Sequence, residues 1–411
     1  MMRLKSCIKG YKKGTHRAVP PEETLTRIEP KLPAAGVTRV ADITGLDRIG
    51  IPVFSSIRPT AEGGAISVYN GKGTTAEEAK VSAMMEAIER YSAEVGAREL
   101  LIDRYARLSE RENVVNPKDL ILPGYVRAVE DLAIPWVKGF DLVAEEELYV
   151  PANAVFHPLP PGYDRIRLFR TNTNGLAGGN ELEEAIFHGL AEVIERDAWS
   201  LVEITRNTGP QVKIEGGEIH DLMDRFLKAE VSVLIRDITS DLGIPTFAAV
   251  SDDLMLRDPG LLTIGMGTHT DAGVAVKRAI TEVAQSRLTQ IHGAREDTVT
   301  ADLKRRMGYD WVRKMNKHWF EIAEVEAFER VDSSSFESDD FLEDIQHTVA
   351  RLKGAGLDRV VVVDLTREEL GVPVVRVIVP GLEMYAVDGE RIGRRCRNAQ
   401  KQHRRVPGAE S

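Results

Sequence analysis

Cysteine is nearly absent. The 411 residues contain two, Cys7 and Cys396, at opposite ends and outside any CxxC spacing. That pattern signals neither a disulfide framework nor a zinc site, so reduced free thiols are expected. Long apolar runs are missing too: nothing approaches the roughly 18 residues a membrane span needs, and no apolar stretch follows the basic first residues as in a secretory signal. A cytoplasmic protein without a membrane partner is expected. Positive charge is not in excess, with 54 Lys plus Arg against 64 Asp plus Glu and a net charge of −10. This balance argues against nucleic acid as a partner. The phosphate-loop spacing GxxxxGK[ST], the dinucleotide fingerprint and any fixed-period repeat are likewise absent.

What is present supports a sizeable core. Hydrophobic residues make up 43% of the chain, whose length admits about two or three domains without forcing a split. Pro20-Pro21-Glu22-Glu23-Thr24 reads as a helix start. Ile51–Ile57 and Ala65–Tyr69 are β-rich runs, the second ending at the turn signal Asn70-Gly71. Residues 100–160, rich in proline and turns, read as a peripheral connector. Arg165–Arg170 alternates like an edge strand, and 231–236, 245–250 and 261–267 read as three more strands. Trp311 and Trp319 are spaced as core anchors of helices, and Asp332–Asp340 forms a serine- and acid-rich loop that could be an insertion. Val360–Asp364 and Val374–Glu383 should lie inside a sheet. Strands and helices interleave irregularly, which predicts an α+β fold.

The chain is organised around Glu181–Trp199. At roughly 100° per residue, Asn180, Glu184, His188, Glu192 and Glu195 share one stripe, and Ile186, Phe187, Leu190, Val193 and Ile194 the other side. Two segments echo it: Ser82, Glu86 and Glu89 stand at i, i+4 and i+7, as do Arg278, Glu282 and Gln285. Such stripes serve either as solvated faces with i,i+4 ion pairs or as walls of a cleft. In the first helix the evident solvent-facing charges are Lys80 and Glu94, away from the stripe, which favours the cleft. Several carboxylates sharing a low-dielectric space need cations and an anionic ligand. Glutamate oxygens are hard ligands that favour Mg²⁺, and Mg²⁺ usually bridges carboxylates to phosphates, so a nucleotide site is expected. Gly71-Lys72-Gly73 fits a phosphate cradle or, more simply, an ordinary turn. His269 and His188 each fit a structural hydrogen bond or a ligand contact.

In this order the motifs resemble the YcaO family, ATP-dependent enzymes that activate backbone amides. The resemblance runs through Gly14-Thr-His-Arg17, Pro21-Glu-Glu-Thr24, Asn70-Gly-Lys-Gly73, Ser82-x3-Glu86-x2-Glu89-Arg90, Asn174-Gly-Leu-Ala-Gly178, Glu192-x2-Glu195-Arg196-Asp197, Gly265-x-Gly-x-His269 and Arg278-x3-Glu282-x2-Gln285-Ser-Arg287. It implies ATP and Mg²⁺ as cofactors. Metal-binding positions would be Glu86, Glu89, Glu184, Glu192 and Glu195, and nucleotide contacts Arg17, Thr24, Ser82, Asn180, Glu184, Arg278, Glu282 and Gln285. No residue is assigned the proton transfers. The fold implied has mixed sheets and helices with two related halves around the ATP site, suggested also by the likeness of MMEAIER and LAEVIER. Residues 1–60 would form an N-terminal segment contributing to that site, 61–390 the catalytic domain and 391–411 a basic tail, solvated or docked on an acidic partner.

Within the family the chain is similar to an archaeal methanogenesis-marker subgroup. What that implies is thioamidation of a glycine in the methyl-coenzyme M reductase alpha subunit, with sulfide or another sulfur donor, a TfuA-type partner where required, and a homodimeric assembly. The single proline in Val406–Ser411 departs from the proline-rich tails of azoline formers, and the chain has no room for the ubiquitin-activating-like module some of them carry. Two other readings stay open: an azoline-forming cyclodehydratase acting at Cys, Ser or Thr, and a non-catalytic Mg-ATP-binding accessory protein.

Overall fold

The computed structural model describes residues 2–163, 166–296 and 299–403. The first sheet is antiparallel, in the order β1 (Arg39–Asp42), β2 (Val53–Ile57), β3 (Val68–Lys72), with Phe54 opposite Gly71. The second begins with β4 (Leu101–Arg104), β5 (Ala133–Asp141), β6 (Glu146–Pro151) and β7 (Leu176–Gly178). The third contains β8 (Gln211–Lys213), β9 (Val231–Asp237), β10 (Thr246–Asp253), β11 (Thr263–Thr268) and β12 (Val325–Ala327), in the order β11-β10-β9-β8-β12. Two late strands, β13 (Val361–Asp364) and β14 (Val374–Ile378), complete the second as β4-β5-β13-β14-β7, with β6 on β5. Helices α1 (Pro21–Ile28), α2 (Ala76–Ser92), α3 (Tyr105–Leu108), α4 (Leu182–Thr205), α5 (Gly217–Lys228) and α6 (Ala272–His292) precede several others in the C-terminal part. The architecture is α+β, as the sequence predicts.

The apolar face of each striped helix explains its seat. In α2, Ala79, Ala83, Met84, Ala87 and Ile88 are buried, which turns Ser82, Glu86 and Glu89 away from that core. Thr75 caps the helix, accepting from the Glu78 amide at 3.2 Å. In α4, Ile186, Leu190, Val193 and Ile194 share a core with Val375 and Val377 of β14. In α6, Ala275, Ala279, Ile280 and Val283 pack with Phe247 and Ala249 of β10, and Asp271 caps the helix at 2.8 Å from the Val274 amide. The helix α2 packs on the edge strand β3, and α6 on the edge strand β11. In each, glycines in the strand let the helix backbone approach. A Cβ at Gly71 would collide with the α2 backbone at Ala79 and Ala83, and one at Gly267 with the α6 backbone at Ala275 and Ala279. Gly71→Ala should therefore lower stability by about 3 kcal/mol. Gly45→Ala, where nothing lies within 4 Å, should stay within about 0.5 kcal/mol. Urea midpoints compare the two; equal midpoints would refute the close-approach argument.

Several sequence expectations are corrected. Residues 100–160 are not a peripheral connector, because β4, β5 and β6 lie in the central sheet and Trp136 is wholly buried. Pro135 and Pro151 are tolerated inside β5 and β6. Residues 166–170 form bends rather than a strand, and Arg165 lies outside the described residues. Asn70-Gly71 is no turn, since β3 runs through it to Lys72. Trp319 is a core anchor but Trp311 is 55% exposed. Glu94 is not solvent-facing: it is buried against the Arg58 guanidinium. Nor is the C-terminal basic stretch a solvated tail as far as it is described. The Arg394–His403 helix buries Cys396, and Arg395 holds Asp197 at 2.9 Å and Asp241 at 2.6 Å. Arg404 and Arg405 lie outside the described residues.

Candidate functional site

The three stripes face one cleft. A cavity of about 240 Å³ is lined by Arg17, Thr24, Ser82, Glu86, Glu89, Asn180, Glu184, Glu192, Arg278 and Gln285, which are most of the positions picked out in the sequence. Glu195 and Glu282 line an adjoining cavity that shares Glu86, Glu89, Glu192, Arg278 and Gln285 with the first. All the predicted site residues thus meet in one connected space.

Local geometry shows how each is placed. The N-terminal segment folds back on itself through paired backbone bonds between Tyr11 and Arg17, at 3.0 and 2.9 Å. This sets Arg17 beside α4, where its Nε lies 3.7 Å from Glu184 and its guanidinium contacts His188. Glu184 also accepts the Ala18 amide at 3.0 Å and lies 3.3 Å from the Asn180 amide nitrogen, while Thr24 donates to Asn180 at 2.9 Å. Asn180, Glu184, Thr24 and Arg17 therefore form one bonded group at one end of the cavity. Glu86, Glu89 and Glu192 line the cavity as well, and Glu195 joins them in the adjoining one. Glu89 accepts the Gly178 amide at 2.7 Å, Glu86 pairs with Arg90 at 2.9 Å, and Arg196 lies 3.8 Å from Glu195 and 4.0 Å from Glu192.

These contacts do not neutralise the acid cluster. Burial, reinforced by the negative charge of Glu86, pushes the Glu89 carboxyl up to about 8. Burial and Glu282 push Glu195 up to about 7. Burial also raises Glu184 and Glu192, whereas for Glu282 the burial cost is outweighed by Lys72, Arg196 and Arg278, and its pKa falls. Carboxylates held this far above their usual range call for added positive charge. Among the described residues no three His, Cys, Asp or Glu side chains converge tightly enough to hold a metal by themselves. A hard cation here must complete its shell with oxygens from elsewhere, which is how Mg²⁺ binds with a nucleotide's phosphates. Arg278 adds an anion-seeking group: its Nε is buried with no hydrogen-bond partner among the described residues. The residues present fit Mg-ATP.

Two contributors were underrated or missed in the sequence. Lys72, weighed as part of a turn, ends β3, pairs with Glu282 and lines both cavities. Glu78 was not singled out, yet it is buried and accepts from the Thr74 amide and hydroxyl at 2.7 Å and from the Tyr11 hydroxyl at 3.0 Å, pinning the N-terminal segment over the cavity. Its signal was legible: Thr75-x-x-Glu78 is a capping-box spacing. Of the two histidines, His188 lines the cavity. His269 is buried, packs edge-on against His16 and Phe187, and takes the Asp271 amide at 2.9 Å, a structural role.

Residues 70–383 match a family described as YcaO cyclodehydratase, ATP- and Mg²⁺-binding. The chain belongs to the YcaO family. YcaO proteins are ATP-dependent enzymes whose cofactors are ATP and Mg²⁺, in agreement with the cleft. An uncharacterised protein of Methanothermobacter thermautotrophicus is 52% identical, over 93% of this chain and 99% of its own length. An uncharacterised protein from the tfuA 3′ region of Rhizobium leguminosarum bv. trifolii is 34% identical, over 96% of this chain and 94% of its own. The solved YcaO from Methanopyrus kandleri, bound with AMPPCP and Mg²⁺, is 31% identical and superimposes with a TM-score of 0.80, covering 94% of this chain and 98% of that one. Among the described residues no helix is long and apolar enough to cross a membrane.

Proposed function

We propose that this YcaO protein activates a peptide backbone amide by ATP- and Mg²⁺-dependent O-phosphorylation, with addition of sulfide giving a thioamide. The substrate is a glycine of the methyl-coenzyme M reductase alpha subunit. The observation that carries the activation step is the convergence of carboxylates from α2, α4 and α6 on one cavity, with Glu89 and Glu195 in excess of the local positive charge. Support for the finer reading is the likeness to proteins of methanogens and to one encoded beside tfuA, which also favours a TfuA-type partner.

When bound, Mg-ATP supplies the phosphoryl group that turns an amide oxygen into a leaving group. This chain's residues do the rest. Glu86, Glu89, Glu184, Glu192 and Glu195 would hold the cations, and Arg278 would present a planar fork of donors to phosphate oxygens. Ser82 is small enough to let phosphate close on α2. Glu184, Asn180, Thr24 and Arg17 would contact the nucleotide, with Gly14, Thr15 and Pro21 of the N-terminal segment lining the same cavity. The reaction balances as follows: sulfide sulfur would bond to the carbonyl carbon, the resulting oxyanion would take the γ-phosphoryl group with release of ADP, and phosphate would depart with the former carbonyl oxygen as the sulfur proton is lost and C=S forms. Positioned charge does most of the work.

The test is incubation with a reductase peptide containing the glycine, ATP, Mg²⁺ and sulfide, followed by intact-mass analysis. Exchange of oxygen for sulfur is expected. Loss of water instead would identify an azoline former, and an unchanged peptide without ATP turnover an accessory protein. A second expected outcome concerns Arg278→Lys, which keeps the charge and removes the fork: the KM for ATP should rise about tenfold, a loss of about 1.4 kcal/mol. An unaltered KM would remove Arg278 from the phosphate contacts.

A further inference from the structure

The carboxylates are reached from two sides. The first cavity, about 240 Å³, carries the Arg17, Thr24 and Asn180 group. The second, about 640 Å³, is bounded by Trp199, Phe320 and Lys304. Lys72, Glu86, Glu89 and Glu192 belong to both, so the two spaces meet at the acid cluster. With the nucleotide filling the first, a second reactant must approach the same carboxylates through the second.

The wall of that chamber holds a cation left without a counterpart. Lys304 lies on the Val299–Met307 helix, half-buried, and its ammonium has no hydrogen bond or ion pair among the described residues. Of the other cations of the chamber, Arg196 pairs with Glu192 and Glu195, Arg90 with Glu86 and Lys72 with Glu282, while Arg278 also lines the first cavity, where it is assigned to phosphate. Burial draws the Lys304 pKa down, and no charge among the described residues acts on it, so it stands apart from the acid cluster. A half-desolvated ammonium set away from the phosphate-binding groups, with Trp199 and Phe320 on the same walls, suits an acidic side chain on an extended peptide.

We propose that the second chamber receives the substrate peptide and that Lys304 pairs there with a carboxylate flanking the modified residue. This rests on the peptide-activation reading above. The experiment uses short glycine-centred peptides carrying one glutamate at each flanking position in turn, and their glutamine counterparts. Binding is read by fluorescence anisotropy with the full chain, Mg²⁺ and a non-hydrolysable ATP analogue. At one register the glutamate peptide should bind about tenfold more tightly than its glutamine twin. Lys304→Met should erase that preference, Lys304→Arg should keep it, and affinity for the ATP analogue should be the same in all three proteins. A wild-type protein indifferent to register, or Lys304→Met retaining the preference, would overturn the assignment. Because binding is read without sulfide or turnover, a failure to form thioamide refutes the activation reading and leaves the docking result standing.

Discussion

Glu89→Gln and Glu195→Gln are each expected to lower peptide-stimulated ATP hydrolysis by about a thousandfold, without loss of folding. Glutamine keeps the shape of each side chain and removes the charge that holds cations against phosphate. The fold should tolerate the change because these carboxylates are costly to the nucleotide-free protein. Glu89 is raised to about 8 and Glu195 to about 7, mainly by burial. The folded state therefore binds protons more tightly than the unfolded chain, so ionisation penalises folding increasingly as pH rises from near 4 towards 8. The Gln variants escape that penalty. Their melting temperature, measured without nucleotide, should equal or exceed the wild type's at pH 6 and exceed it further at pH 8. Mg-ATP should stabilise the wild type and add little to the variants. Melting temperatures that fall at both pH values would make these glutamates structural, and hydrolysis above a tenth of wild type would remove them from the reaction.

The stripes were readable because helical periodicity is local information: Ser82, Glu86 and Glu89, or Arg278, Glu282 and Gln285, need only their spacing to be placed on one face. Hydrophobic runs such as Val361–Val363 announced themselves as buried strands for the same reason. What escaped depends on contacts far apart in sequence. Glu94 meets Arg58 across 36 positions, and Lys72 meets Glu282 across 210. A proline-rich stretch hid three strands of the central sheet, since Pro135 and Pro151 sit where strand pairing accommodates them. The basic C-terminal segment looked like a solvated tail until Asp197, on the far face of α4, gave Arg395 a buried partner. Charge composition alone cannot distinguish a free arginine from one whose carboxylate lies 198 residues away.

Arg287→Met should cost about 3–5 kcal/mol of folding stability, the largest loss expected from any single side chain discussed here. Arg287 is fully buried in α6. Its Nε lies 2.8 Å from Asp47, and a terminal nitrogen lies 3.1 Å from Asp47 and 3.0 Å from Asp253 at the end of β10. The side chain thus ties the loop between β1 and β2 to the third sheet, joining the sheets that carry α2 and α6. Methionine fills similar volume but leaves Asp47 buried without its cation, and Asp253 with Arg48 at 2.8 Å as its remaining guanidinium. The loss has a pH signature. Burial would raise the Asp253 pKa, but hydrogen bonds from Arg48, the Leu256 amide and Arg287 more than offset it, and the folded value lies below the ordinary one. A carboxylate so depressed contributes stability above its unfolded pKa of about 4, and loses it as pH falls through the lower folded value. The deficit of Arg287→Met should accordingly be greatest near neutrality and shrink in acid below the unfolded pKa of about 4, measured as urea unfolding at neutral pH and at about pH 2.5. Because α6 presents Arg278, Glu282 and Gln285 on the face opposite this anchor, the variant should also bind Mg-ATP more weakly at temperatures where it is still folded. A deficit that is constant with pH would mean that packing, rather than the charge it brings to two buried aspartates, is what Arg287 contributes.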